Sequence, residues 1–322
     1  MVSAAMGTIY LVWGSTYLAI AYVVETLPPL LAAAARFLVA GGLLLAFLVA
    51  QDRWRRRRPG GAHAPLERPL LVHWRSALIV GGLLLLGGNG MVMMAERTVP
   101  SGIAAVIIAT LPIWMSMFDA LVTRRAPSML AIGGLLVGLA GVGILLLPTG
   151  GVDALDPFGI GLLVVANIAW AAGSLYARHG PLPRNVLLGT GMQQLAGGAA
   201  LVVAGAAIGE VGSTDLGAVS LESLLALAYL VVFGSLLAFT AYVWLLNNVS
   251  VTTVATYAYV NPIVAVGLGM LFRSESLSAR TLLAALLIIG AVVAMVSGRP
   301  REAEQPGPSP ETAPMEPADE AR

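Results

Sequence analysis

The sequence predicts an all-α polytopic membrane protein with ten transmembrane helices in two inverted five-helix repeats. Three observations carry that prediction. The 322 residues are 58% hydrophobic and 11% charged, with a mean hydropathy of +0.86, whereas a soluble domain is about 25% charged. The apolar residues gather into runs long enough to cross a hydrocarbon core of roughly 30 Å, which takes about 20 helical residues. The first half of the chain also overlays the second. Cysteine is absent, which excludes disulfide frameworks, thiolate metal sites and cysteine nucleophiles.

The runs fall in order at 5–24, 29–50, 75–95, 101–122, 128–148, 157–178, 185–208, 221–245, 251–271 and 279–298. Most have no polar face, as expected of helices in lipid rather than of soluble core helices. The first lacks a basic leader and a small-residue cleavage signature, so it reads as a retained helix. The third holds the Gly-rich segment Gly87-Gly88-Asn89-Gly90, and the fourth and ninth are interrupted by Pro112 and Pro262. Gly134 with Gly138, and Gly205 with Gly209, have the four-residue spacing that permits close helix packing. Beyond the tenth run, 299–322 is rich in Pro, Glu and Ala without apolar periodicity, and is expected to be a disordered cytoplasmic tail.

Charge sorts by connection. Arg53, Arg55, Arg56, Arg57, Arg58, Arg68, Arg75, Arg124, Arg125, Arg178, Arg184, Arg299, Arg301 and Arg322 all follow even-numbered spans. The odd-side connections hold Arg97, Arg273 and Arg280 and are otherwise acidic, with Glu25, Glu96, Asp153, Asp156, Glu210, Asp215, Glu222 and Glu275. The positive-inside rule then puts both termini in the cytoplasm of a multi-pass plasma-membrane protein. A formal net charge of +1 speaks against a nucleic-acid partner. The arginine run could also be read as a nuclear signal or an RNA-binding patch, but a short basic loop between two spans is expected to have a topological role.

The halves align at two offsets. Placing Pro112 on Pro262 gives 150, while 157 puts Trp13 on Trp170, Arg36 on Gln193 and Gly41 on Gly198. The longer arginine-rich loop of the first half accounts for the difference. The repeats are therefore read as 5–148 and 157–298. An odd number of spans per repeat inverts the second relative to the first, an architecture of secondary transporters whose substrate site lies near the midplane between repeats.

The stretch IYLVWGSTYLAIAYVVETLPPLLAAAARFLVAGGLLL resembles the start of the EamA family of the drug/metabolite transporter superfamily, in particular its YedA-like exporters. GGNGMVMMAERTVPSGIAAVIIATLPIW, Asn261-Pro262 and Ser274-Glu275-Ser276 add to the likeness, which runs from about residue 5 to 298. The resemblance implies ten helices in two inverted repeats and transport of small metabolites or drugs, often as efflux, around a central cavity. It also implies a bacterial inner membrane. Many members carry a Gly-Glu pair after the helix of the first-half proline; this chain has Thr123-Arg124-Arg125, with an acid only at Glu275.

Ionisable residues at membrane depth are functional candidates, because they are costly there. Arg36 lies about seven residues into the second span, roughly 10 Å deep at 1.5 Å per residue. It could meet a substrate carboxylate or phosphate, or instead snorkel or cap neighbouring carbonyls. Asp119, near the inner end of the fourth span, is a candidate for proton coupling or for an ion pair with Arg124. Trp13, Ser15, Thr16, Tyr17, Asn89, Trp170, Gln193, Tyr257 and Asn261 complete the substrate-binding candidates. Each could equally bond between helices. Tyr242 and Trp244 could serve as interface-belt anchors. Pro112 and Pro262 are candidate hinges, since a proline removes a backbone hydrogen bond.

No Walker loop, GxGxxG, HExxH or GxSxG motif occurs, so no enzyme, cofactor or metal site is read. The expected partners are a small-molecule substrate and the lipid bilayer. The reading from another class is a membrane receptor or accessory scaffold that transports nothing.

Overall fold

The computed structural model describes residues 1–57, 65–124, 129–146, 156–274 and 278–297. The tail at 299–322, Arg58, Arg125, Asp153 and Glu275 lie outside the described residues. Everything regular among them is helical.

Long apolar helices form because lipid offers no partner for backbone N–H and C=O groups, which must bond within their own segment. α1 (Val2–Thr26) and α2 (Pro29–Arg56) come first. Pro29 opens α2, where its missing N–H is harmless. The helix runs past the expected boundary at 50, and Arg53, Arg55 and Arg56 in its last turn complement the negative end of its dipole. The third helix runs from Leu71 to Ala95 in three parts: α3 (Leu71–Gly81), a π-helical segment (Gly82–Gly90) and α4 (Met91–Ala95). The fourth is broken into α5 (Ser101–Ile108) and α6 (Leu111–Thr123), and α7 (Met129–Leu146) follows.

The second half repeats the sequence of elements. α8 (Pro157–His179) and α9 (Val186–Ala207) precede the short α10 (Glu210–Ser213). The eighth apolar run again has three parts: α11 (Leu221–Tyr229), a π-helical segment (Leu230–Ala238) and α12 (Phe239–Asn248). The ninth is again broken, into α13 (Val251–Val254) and α14 (Tyr257–Arg273), and α15 (Ala279–Ser297) closes the chain.

Among the described residues, 7 helical stretches are long and apolar enough to cross a membrane, with Val260–Arg273 and Ala279–Gly290 as shorter apolar helices. Leu11, Leu43, Phe47, Leu78, Leu225 and Leu286 are among the large apolar side chains on the outer surface, as expected where the surroundings are lipid. The interior is glycine-tight where α9 crosses α2 and α3. A Cβ on Gly81 would stand 2.5 Å from the Gln193 carbonyl oxygen and 2.6 Å from the Gly197 nitrogen, so these backbones touch. The spacing pair Gly205 and Gly209 divides in role: Gly205 packs under Leu31, while Gly209 takes a left-handed turn at φ 84.

Contacts between helix ends follow the charge pattern. Arg273 pairs with Glu25. Glu210 accepts from the Leu30 and Leu31 N–H groups at 3.2 and 2.9 Å, capping α2 from another element. Thr98 donates to Asp156 at 2.8 Å. Arg273, Glu25, Glu210, Thr98 and Asp156 belong to odd-side connections, and Leu30 and Leu31 begin α2 on the same side. On the even side, Asn185 N–H donates to Glu67 and Arg178 donates to the Val249 carbonyl.

Candidate functional site

α1 runs through the middle of the bundle, against α14, α5, α11 and α12. Its face at positions 13, 16, 17 and 20 follows the helical repeat, and that face opens onto a cavity whose atom-free space, including the part open to the outside, is about 530 Å³. Trp13, Thr16, Tyr17 and Ile20 form one wall. Arg36, Gly88, Asn89, Val92, Ile108 and Leu111 complete the first-half lining, and the second half supplies Ala166, Asn167, Trp170, Tyr257 and Asn261. Apolar walls with a few convergent polar groups are the chemistry of a small-molecule site.

Arg36 is 3% exposed. Its Nε donates to Ser235 Oγ at 2.7 Å and its Nη1 to Asn89 Oδ1 at 3.4 Å, and the guanidinium carbon lies 4.7 Å from the Phe37 ring centroid. Asn89 and Ser235 sit in the two π-helical segments, one from each half. Nη2 fits the notch at Gly234, where a Cβ would come within 2.7 Å of it. A π turn displaces the regular i→i−4 bonds and often marks a functional position. Here the Gly234 carbonyl accepts from Trp13 Nε1 at 3.4 Å and the Ser235 carbonyl from Gln194 Nε2 at 3.0 Å.

The aromatic wall is one cluster. Trp13 meets Trp170 edge to face at 5.4 Å between centroids, and Tyr257 in the same manner at 4.9 Å. Tyr242 is fully buried 4.9 Å from Trp13, so the expectation of an interface-belt anchor is corrected for this residue. Its hydroxyl accepts from Trp170 Nε1 at 2.9 Å and donates to Ser174, whose own hydroxyl donates to the Trp170 carbonyl at 2.6 Å. This closed chain satisfies the polar ends of two rings inside the bundle.

The break in the fourth helix also faces the cavity. Asn167 Nδ2 donates to the Ile107 carbonyl and to Thr110 Oγ1, both at 3.0 Å. Its Oδ1 is buried with no hydrogen-bond partner. Pro112 lies in the first turn of α6, just beyond the break at 109–110. Pro262 lies inside α14, and the second break falls earlier, at 255–256. The broken segments begin at Ser101 and Val251 and end at the left-handed residues Arg124 and Ser274, both with φ 53. Starts and ends thus keep the offset of 150, while the breaks differ by about one turn. The prolines are not structurally equivalent hinges. With its amide oriented to donate, Asn261 bonds the Tyr257 and Tyr10 carbonyls at 3.1 and 3.0 Å.

Of the residues read from sequence, Trp13, Thr16, Tyr17, Arg36, Asn89, Trp170, Tyr257 and Asn261 come together at this cavity. Ser15 does not: it points the other way on α1, bonding the Tyr229 hydroxyl at 2.6 Å in a separate groove with Tyr22 and Glu222. Gln193 is fully buried outside the lining, with neither amide atom hydrogen-bonded. Asp119 lies on α6, and its side chain is outside the described residues. Among the neighbours of the cavity residues that the sequence did not single out are Ser235 and the π-helical segment around it. Asn167 was legible only as a polar residue within a span.

The fold is that of a multi-spanning helical membrane protein with an internal cavity lined from both halves of the chain. The chain belongs to the EamA-like transporter family, whose model matches residues 4–147 and again 157–297. It is therefore a transporter-family protein rather than an enzyme. It is 41% identical over 297 residues to the inner membrane transporter YedA of Escherichia coli (strain K12), covering 92% of this chain and 90% of that one. Protein PecM of Dickeya dadantii (strain 3937) is 27% identical over 285 residues, 88% of each chain. A protein of known crystal structure, 19% identical, superposes with a TM-score of 0.59 over 91% of this chain and 95% of that one, which shows the fold alone.

Proposed function

We propose that this chain is a secondary transporter that exports small organic molecules across a bacterial inner membrane. In this reading ten helices cross the membrane, both termini are cytoplasmic, and two inverted repeats, 5–148 and 157–298, alternate the access of the shared cavity. The observation that carries it is the lining itself. Both halves contribute walls, and the buried Arg36 is held by the third helix of each, through Asn89 and Ser235. A site between repeats is what alternating access needs. The twofold family match, the paired π segments and breaks, and end-to-end contacts that respect the charge pattern all support it.

The test is substrate-dependent flux in proteoliposomes containing the full chain, with a broad metabolite panel on either side. Outward-directed flux that is lost when Trp13 and Trp170 are both replaced by Ala supports the reading. Absence of flux across the panel, with intact folding, would favour a scaffold or receptor. Topology reporters at positions 60 and 152 should report opposite compartments; the same compartment for both would end the five-plus-five inversion.

A further inference from the structure

We propose that the cavity recognises aromatic monocarboxylates lacking a free ammonium group, with the carboxylate on the Arg36 guanidinium. This inference rests on the transport reading and adds the substrate class to it.

The argument begins with charge. Arg36 is buried at the cavity wall, and both of its hydrogen-bond partners, Ser235 and Asn89, are neutral. Among the described residues neither ion pair involves it, and no Asp or Glu lines the cavity. Glu96, the buried acid that caps α4, is not part of the lining. A cation taken from water into a low-dielectric interior is costly until an anion joins it. The arrangement presents N–H donors on a rigid fork suited to a carboxylate.

The count of charges selects among anions. A single guanidinium balances a single negative charge. A phosphate monoester carries about −1.5 to −2 at neutral pH and would leave an excess buried. An amino acid balances Arg36 with its carboxylate but brings an ammonium for which the lining offers no carboxylate. The remaining walls specify the body of the ligand. Trp13, Tyr17, Trp170 and Tyr257 present ring surfaces for a flat apolar group.

The experiment measures binding to the purified full chain in lipid nanodiscs, by titration calorimetry. Four ligands keep one ring and change the head group: 3-(4-hydroxyphenyl)propanoate, its neutral amide, tyrosine, and 4-hydroxyphenethyl phosphate. The propanoate should bind roughly ten- to a hundredfold tighter than the amide, the effect of one charge-assisted pair, and tighter than tyrosine or the phosphate. Arg36→Gln should erase the preference over the amide. Asn89→Asp, which sets a carboxylate beside Arg36 without removing it, should erase it as well, so the proposal does not depend on one variant's folding. Equal or tighter binding of the amide, tyrosine or the phosphate would overturn the proposal, as would a preference that survives both substitutions. Failure of all four to bind the folded protein would overturn it too. Transport of neutral aromatics with no anion preference would leave the export reading standing while removing this one.

Discussion

Gln193 should be the residue whose replacement stabilises the observed conformation while slowing transport. It is fully buried on α9, and neither Nε2 nor Oε1 has a partner; Thr190 Oγ1 and Gln194 Oε1, one turn away or adjacent, are also unpartnered. A buried polar atom left without a hydrogen bond costs roughly 1–3 kcal/mol. Methionine keeps the length of glutamine and carries no such atoms. Allowing for partial relaxation, Gln193→Met should stabilise this state by about 1–3 kcal/mol. Each 1.4 kcal/mol applied to one state alone shifts a two-state equilibrium about tenfold. By the repeat offset of 157, Gln193 is the counterpart of Arg36, so exchange of the two half-structures would bring its amide to the cavity. The assay pairs thermal unfolding in nanodiscs with flux in proteoliposomes. Melting should rise and flux should fall together. A lower melting temperature would refute the reasoning, because the amide would then be satisfied where it stands. A higher one with unchanged flux would show that the cycle never uses it.

Four further outcomes follow from the geometry. Glu210→Ala removes the acceptor of two N–H groups at the start of α2, and should lower stability in chemical unfolding by about 0.5–2 kcal/mol, as loss of a helix cap does. Gly81→Ala puts a Cβ against the Gln193 carbonyl and the Gly197 backbone; overpacking of this kind costs about 1–3 kcal/mol, read as a drop in melting temperature. Arg124→Gly and Ser274→Gly relieve left-handed backbone at φ 53, and each should raise stability by up to about 1 kcal/mol. The Thr98 hydroxyl, then the Phe158 and Gly159 N–H groups, hold the partly exposed Asp156 carboxyl below its ordinary range. With its folded value depressed, its contribution is complete above the unfolded value of about 3.9 and is lost as pH falls through the folded one. The destabilisation of Asp156→Ala should therefore be full at neutral pH and shrink in acid.

Much of the site was legible because lipid makes polar residues conspicuous. Arg36 stood out as a charge at membrane depth, and Trp13 and Trp170 as counterparts under one offset; the structure puts all three on one cavity. Ser15 was grouped with its sequence neighbours, although helical periodicity alone separates it from positions 13, 16, 17 and 20. Ser235 was invisible for another reason. One serine in an apolar run gives no signal until the tertiary fold brings Arg36 to it. The π segments likewise leave the apolar pattern unchanged, and a proline marks a disturbed helix without fixing where it breaks. At Pro112 the chain has already broken, two residues earlier, whereas Pro262 stays inside α14.

On the proposed transport reading, the two bonds on Arg36 would tie binding to conformation. One comes from the third helix of its own half, at 3.4 Å, and the other from the third helix of the opposite half, at 2.7 Å. Relative motion of the halves must change at least one of them, and the longer bond is the weaker. Both acceptors lie in π-helical segments, and in the second of these Trp13 and Gln194 also bond the Gly234 and Ser235 carbonyls. An anion that takes up the remaining guanidinium N–H groups lowers the cost of loosening either acceptor. A ligand moves a conformational equilibrium only through such a difference in interaction between states. On the transport reading proposed above, that difference is concentrated at one arginine, held from both halves of the chain.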